Sequence, residues 1–103
     1  RRRKAVGLMF ERFTYHRDIG HGWLEVTTAQ VIEVGLTLSA FSQYSYIDGG
    51  GVLYLEEDMD MMTFCRAFER KHGHLPPLAV VEYPGDAPIR RFNHLRPLAA
   101  AVA

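Results

Sequence analysis

Apolar and polar positions along this chain repeat at the strand period in some stretches and the helix period in others, and the switches divide it into short elements. From Val6 to Tyr15 the stretch VGLMFERFTY is rich in strand formers. Val6, Leu8 and Phe10 share one parity and Met9, Phe13 and Tyr15 the other, so it reads as a strand with a bulge where the parity changes. After a turn over 16–20, Gly22 to Val26 reads as a second strand in which Trp23 and Glu25 face opposite to Leu24 and Val26. Thr27 with Gln30 three residues later forms a capping box, the hydroxyl accepting from the Gln30 amide while the Gln30 side chain reaches back. The helix it starts spans about Thr28 to Val34, because Gly35 stands where a left-handed residue closes a helix.

Ser42 to Ile47 alternates again, with Ser42, Tyr44 and Tyr46 on one face and Gln43, Ser45 and Ile47 on the other. Asp48-Gly49-Gly50-Gly51 supplies a hairpin turn and Val52 to Glu56 the return strand. Glu57, Asp58 and Asp60 then head a helix, where carboxylates cap free amides and oppose the positive dipole end. Met61, Phe64, Cys65 and Phe68 recur at the spacing of one buried helical face, Arg70, Lys71 and His72 suit its C-terminal end, and Gly73 stops it. Beyond Pro76-Pro77, Leu78 to Tyr83 and Pro88 to Leu95 read as a last hairpin around Pro84-Gly85-Asp86-Ala87. Val80, Ile89 and Phe92 are its core candidates and Pro88 marks an edge strand. The expectation is one α+β domain over residues 1–103, flexible at 1–5 and 97–103. Its order is ββ-α-ββ-α-ββ, with a mainly antiparallel sheet and both helices on one face.

Composition adds that 103 residues, 48% of them hydrophobic and 12% aromatic, suffice for a core without a metal or disulfide staple. The one cysteine, Cys65, falls on the apolar helix face and reads as a small buried hydrophobe; an unpaired thiol fits a reducing cytoplasm. No apolar run approaches the ~18 residues of a membrane span, and the opening RRRKAVGLMF holds too short an apolar stretch for a signal peptide. Twelve basic residues balance twelve acidic ones, so no global field recruits nucleic acid. The charges are nevertheless segregated. Arg1, Arg2, Arg3 and Lys4 open the chain and Arg90, Arg91 and Arg96 lie near its end, while Glu56, Glu57, Asp58 and Asp60 cluster at the centre.

Candidate chemistry is sparse. His16 and His21 flank a turn with Asp18, and His72 and His74 close the second helix, but neither group supplies the three or four converging ligands a metal needs. His16-Arg17-Asp18 resembles the opening of a kinase catalytic loop without the rest of that machinery. Gly49-Gly50-Gly51 joins two strands rather than a strand and a helix, so it is a turn and not a phosphate cradle. Capping accounts for at least two of the central carboxylates, and no nucleophile or oriented base accompanies them. No catalytic residue, cofactor or metal is assigned. Tyr44, Tyr46 and Tyr54 on the central hairpin read as cross-strand tyrosines packed under a helix with their hydroxyls at the rim; with Glu56, Glu57 and Asp58 beside them, and Arg90 and Arg91 on the last hairpin, they also make a candidate docking edge.

Gly20-His21-Gly22-Trp23-Leu24-Glu25-Val26, then Tyr44-Ser45-Tyr46, then Tyr54-Leu55-Glu56-Glu57-Asp58, and finally Pro88-Ile89-Arg90-Arg91-Phe92 together resemble a family of short proteins of bacterial plasmids, phages and related mobile elements. Such relatives often carry a Cys after the acidic cap; this chain has Met59 before Asp60, which weakens any cysteine-based activity. The resemblance brings no catalytic residues. It implies a small protein that binds a host or element macromolecule, of which an anti-CRISPR or antirestriction inhibitor is a concrete example.

Three function classes therefore stand side by side. The first is a non-enzymatic interaction protein with a host or element protein as partner. The second is a nucleic-acid-binding accessory protein using the basic termini and exposed tyrosines. The third is a small enzyme resting on His16, Asp18 and His21. No membrane association is expected, and self-association into a homo-oligomer is compatible with all three.

Overall fold

In the computed structural model, residues 12–95 are described. They form a six-stranded mixed sheet with two α-helices: β1 (Phe13–Arg17), β2 (Gly22–Thr27), α1 (Thr28–Glu33), β3 (Tyr46–Ile47), β4 (Val52–Glu56), α2 (Asp60–His72), β5 (Leu78–Glu82) and β6 (Asn93–His94). Two 3-10 turns, Leu38–Ala40 and Pro88–Arg91, interrupt the expected succession. The early part of the first expected strand, Val6 to Phe10, lies outside the described residues, as do the basic run Arg1 to Lys4, Arg96 and the ends expected to be flexible.

The local signals act as their chemistry requires. Thr27 Oγ1 accepts from the Gln30 amide at 3.1 Å while Gln30 Oε1 accepts from the Thr27 amide at 2.9 Å, completing the capping box of α1. Gly73, at φ 84°, ends α2 in the left-handed region and its N–H donates to the Glu69 carbonyl. Asp48 organises the hairpin from inside. One carboxylate oxygen accepts from the amides of Gly50 and Val52, and the other accepts from the Tyr54 hydroxyl at 2.8 Å.

Strand order is β5-β1-β2-β4-β3-β6. All pairings are antiparallel except β1 with β5, which is parallel. The last hairpin expected from the sequence is therefore absent: its two strands occupy opposite edges of the sheet. Residues 83–92 instead cross the sheet as a strap, over roughly 24 Å at the usual inter-strand spacing. Proline at the start of the second expected strand serves another purpose, since Pro88 opens a 3-10 turn, where a missing N–H costs nothing. The third strand is also shorter than expected. Residues 42–45 form a turn, and pairing begins at Tyr46.

Register divides the side chains between two clusters. Tyr15, Leu24 and Leu55 share one face, with Val26 and Leu53 beside them, and both helices pack there through Val31, Phe64, Ala67 and Phe68. Gly22 permits this packing at the strand end, because a Cβ there would lie 2.0 Å from the Tyr15 hydroxyl and 2.9 Å from Glu57 Oε1. On the other face, Trp23 and Tyr54 are covered by Ala87 and Ile89 from the strap, with Tyr83 and Phe92 packed around them. Ile89 is thus a core residue as expected and Phe92 packs half-buried against that core, whereas Val80, on the outermost strand, is 52% exposed.

The start of α2 differs from the expected acidic cap. Asp60 is buried and accepts from the Ser42 amide, the Ser42 hydroxyl and the Ser45 hydroxyl. The N-cap, Met59, contributes no side-chain bond, and Glu56 accepts from the amides of Asp58 and Met59. The acidic run is used to join the 42–45 turn to β4 and α2.

Candidate partner-binding cleft

Trp23 on β2, Tyr46 on β3, Glu56 on β4 and His94 on β6 lie on the sheet face turned away from the helices, because each sits at a register position shared with a residue of that face. Between them and the strap is a cleft of about 330 Å³, completed by Arg90, by Tyr44, and by His21, Asp58 and Met59 from flanking turns. Its aromatic wall is continuous. Trp23 meets Tyr46 edge-on at 6.3 Å between centroids, and Tyr46 lies 4.6 Å from His94. His94 is fixed by donation from Nδ1 to the Gln43 carbonyl at 2.7 Å.

Arg90 forms the strap side of the cleft and is held from beneath by Asp18. Its Nε and Nη2 donate to the two carboxylate oxygens of Asp18 at 2.7 and 2.9 Å, and its guanidinium lies over the Trp23 ring at 5.4 Å. The same carboxylate accepts from the amides of Gly20, His21 and Ala87. The Arg90 guanidinium, helped by these amides and opposed by burial, holds the Asp18 carboxyl well below the usual carboxylate range. The Arg90 charge is therefore matched locally, and among the described residues the charges left at the mouth are those of Glu56 and Asp58.

Of the residues singled out in the sequence, Tyr44, Tyr46, Glu56, Asp58 and Arg90 line this cleft. Tyr44 is 62% exposed at its rim. The others lie elsewhere. Tyr54 is 8% exposed beneath the strap, and burial together with its bond to Asp48 raises its phenol above the ordinary value. Glu57 is on the helix side, where it accepts from Tyr15 at 2.7 Å; burial and this bond push the Tyr15 phenol up to about 12. Arg91 is exposed on the strap outside the cleft. The tyrosines of the central hairpin do not pack under a helix, because the helices occupy the opposite face.

The histidine and aspartate group considered for catalysis does not converge. Asp18 is committed to Arg90 and backbone amides. His16 is tied to Glu25 through Nε2 at 2.7 Å and to the Tyr83 hydroxyl through Nδ1 at 2.8 Å, and His21 stands at the cleft edge against Trp23. Among the described residues, no three His, Cys, Asp or Glu side chains are grouped so as to hold a metal ion. Cys65 is half-buried beside Met61 and Met62 on α2, and burial raises its thiol pKa. Among the described residues no helix is long and apolar enough to cross a membrane.

Sequence reasoning did not bring Trp23, His21 and His94 to this site. Strand parity does place Trp23 opposite the helix-facing Leu24, but His94 reaches the cleft through a pairing of β6 with β3 that no local signal encodes. Comparison with known protein families, with characterised proteins and with solved structures gives no match.

Proposed function

We propose that this chain is a non-enzymatic interaction protein whose aromatic cleft receives a basic segment of a partner protein. The observation that carries the reading is the convergence of Tyr44, Tyr46, Glu56 and Asp58 around one opening at which the only guanidinium among the described residues, that of Arg90, is matched by Asp18. Aromatic walls with carboxylates at the mouth suit an arginine or lysine side chain, through ring-face attraction and charge complementarity. The setting we propose, a phage or mobile element protein acting on a host macromolecule such as a defence complex, rests on the sequence resemblance.

Nucleic-acid binding is the less favoured reading, because among the described residues the local charge left uncompensated at the cleft is acidic. The test uses exposed residues that hold no structural bond. Tyr44→Ala and Asp58→Lys should keep the fold, judged by circular dichroism, while a partner captured by the tagged native chain disappears from quantitative pull-downs with either variant. Identical captures from native and variant chains would overturn the assignment of the cleft. Binding to oligonucleotides with a steep salt dependence would replace the protein-partner reading with the nucleic-acid one.

A further inference from the structure

Strand β5 is the outer strand at one edge of the sheet, and among the described residues nothing pairs with its free side. Its parallel ladder with β1 determines which groups face outward. Phe13 N–H donates to the Pro77 carbonyl and Tyr83 N–H to the Arg17 carbonyl, with Phe13, Tyr15 and Arg17 in register with Leu78, Val80 and Glu82. In such a ladder the residues flanking each register partner bond inward, so Ala79 and Val81 face β1. The N–H and C=O groups of Leu78, Val80 and Glu82 face away from the sheet.

This free edge lacks most of the devices that blunt an edge strand. It carries no bulge and no unpaired charge, since Glu82 is paired with Arg17, and its exposed side chains include Leu78, Val80 and Val81. The opposite edge, β6, is two residues long. Prolines do bracket β5: Pro76 and Pro84, which continue the outward parity, have no N–H, so the usable ladder is confined to three residues.

We propose that β5 pairs antiparallel with β5 of a second copy of this chain, about a two-fold axis through Val80. That register sets Val80 against the second copy's Val80 and Leu78 against its Glu82. All three outward residues then face outward residues, so each pair exchanges both of its hydrogen bonds. The pattern is symmetric about its centre, as an isologous interface requires. It also opposes no like charges, because the two Glu82 carboxylates lie at opposite ends of the ladder, and it sets a β-branched pair at the middle. Leu78 and Val80 lie on the helix side of the sheet. There an apolar groove of about 560 Å³ between α2 and β5, lined by Met61, Met62, Cys65 and Leu75, would continue across the seam into the second copy. A foreign strand could satisfy the same backbone groups, but the self-matching of ladder, charge and side-chain size selects a second copy.

Sedimentation velocity from micromolar to millimolar concentration, with amide hydrogen exchange at both ends of that range, tests this. The expected result is a concentration-dependent dimer in which the amides of Leu78, Val80 and Glu82 gain protection, while those of Ala79 and Val81 are protected at every concentration. Val80→Pro removes an outward donor and leaves the inward ladder its groups. It should weaken the dimer by about thirtyfold, the equivalent of two net backbone hydrogen bonds. Val80→Lys, which keeps the donor and adds a like charge at the axis, should weaken it as well and stands in if the proline variant does not fold. A chain monomeric at millimolar concentration overturns the proposal. So does a dimer that both variants leave intact. Protection of the three outward amides in the monomer also overturns it, since another part of the same chain would then cover the edge.

Discussion

Gly22 shows how a single atom's absence can position two elements. With no Cβ, the β2 backbone lets the Tyr15 ring lie across the strand end and reach Glu57, tying β1 to the turn before α2. Gly22→Ala places a carbon at 2.0 Å from the Tyr15 hydroxyl, so the ring must leave its rotamer and surrender the bond. The expected loss is about 2 kcal/mol, typical of overpacking at a close contact, read from urea denaturation. The phenol of Tyr15 should return toward its ordinary value in spectrophotometric titration, since both burial and Glu57 raise it in the native chain. No sequence pattern announces this requirement. A glycine beside Trp23 reads as a strand start, and the close approach of Tyr15 depends on the pairing of β1 with β2.

At the scale of elements, the union of β4, α2 and the 42–45 turn depends on Ser45. This fully buried hydroxyl donates to Asp60 at 2.5 Å and accepts from the Glu56 amide at 3.0 Å, while the Ser45 carbonyl accepts from Leu95. Ser45→Ala leaves the half-buried Glu56 amide and one lone pair of a buried carboxylate without partners, at a cost of about 2 kcal/mol. Because Tyr44 and Tyr46 flank Ser45, the same change should loosen the aromatic wall of the cleft. Protection of the Glu56 amide in hydrogen exchange is the direct readout, and unchanged protection would show that another group takes the hydroxyl's place. The helix α2 itself was legible from its apolar spacing and from Gly73. What that spacing could not show is that Asp60 turns away from the helix amides toward Ser42 and Ser45, because a capping carboxylate and a buried one look alike in sequence.

For the whole molecule, the strap over 83–92 makes the second face of the sheet into a second core, and the Asp18–Arg90 pair fastens it. Asp18 has a folded pKa below its unfolded value. Its contribution is thus fully present above the ordinary carboxylate range near pH 4, and is lost as pH falls below that range. Trp23, the one tryptophan of the chain, lies beneath Arg90 and is 2% exposed, so its fluorescence reports the strap. Arg90→Ala should shift Trp23 emission to longer wavelength and raise its quenching by acrylamide at neutral pH. The native chain should show the same change only on acidification below about pH 4. Emission that stays blue-shifted in the variant would mean that Ala87 and Ile89 hold the strap without the ion pair.

Taken by itself, the sequence determined the elements whose causes are local. These include the Thr27 capping box, the Asp48 to Gly51 hairpin, the α2 stripe ended by Gly73, and the α+β class that follows from alternating strands and helices. The crowding of aromatic and acidic residues around the central hairpin drew attention to Tyr44, Tyr46, Tyr54, Glu56, Glu57 and Asp58, but it could not separate those that line the cleft from Tyr54 and Glu57, which do not. Tertiary structure alone decided where the last quarter of the chain goes. Pro84 to Ala87 has the composition of a hairpin turn, yet the Ala87 amide and Arg90 are bound by Asp18, 69 and 72 residues earlier, and Ile89 is buried against the far side of the sheet. Those long-range partners outweigh a local turn preference, since a buried carboxylate must be matched and an apolar side chain must be covered. The same decision parted β5 from β6, opened the cleft between strap and sheet, and left β5 the outer strand of the described sheet.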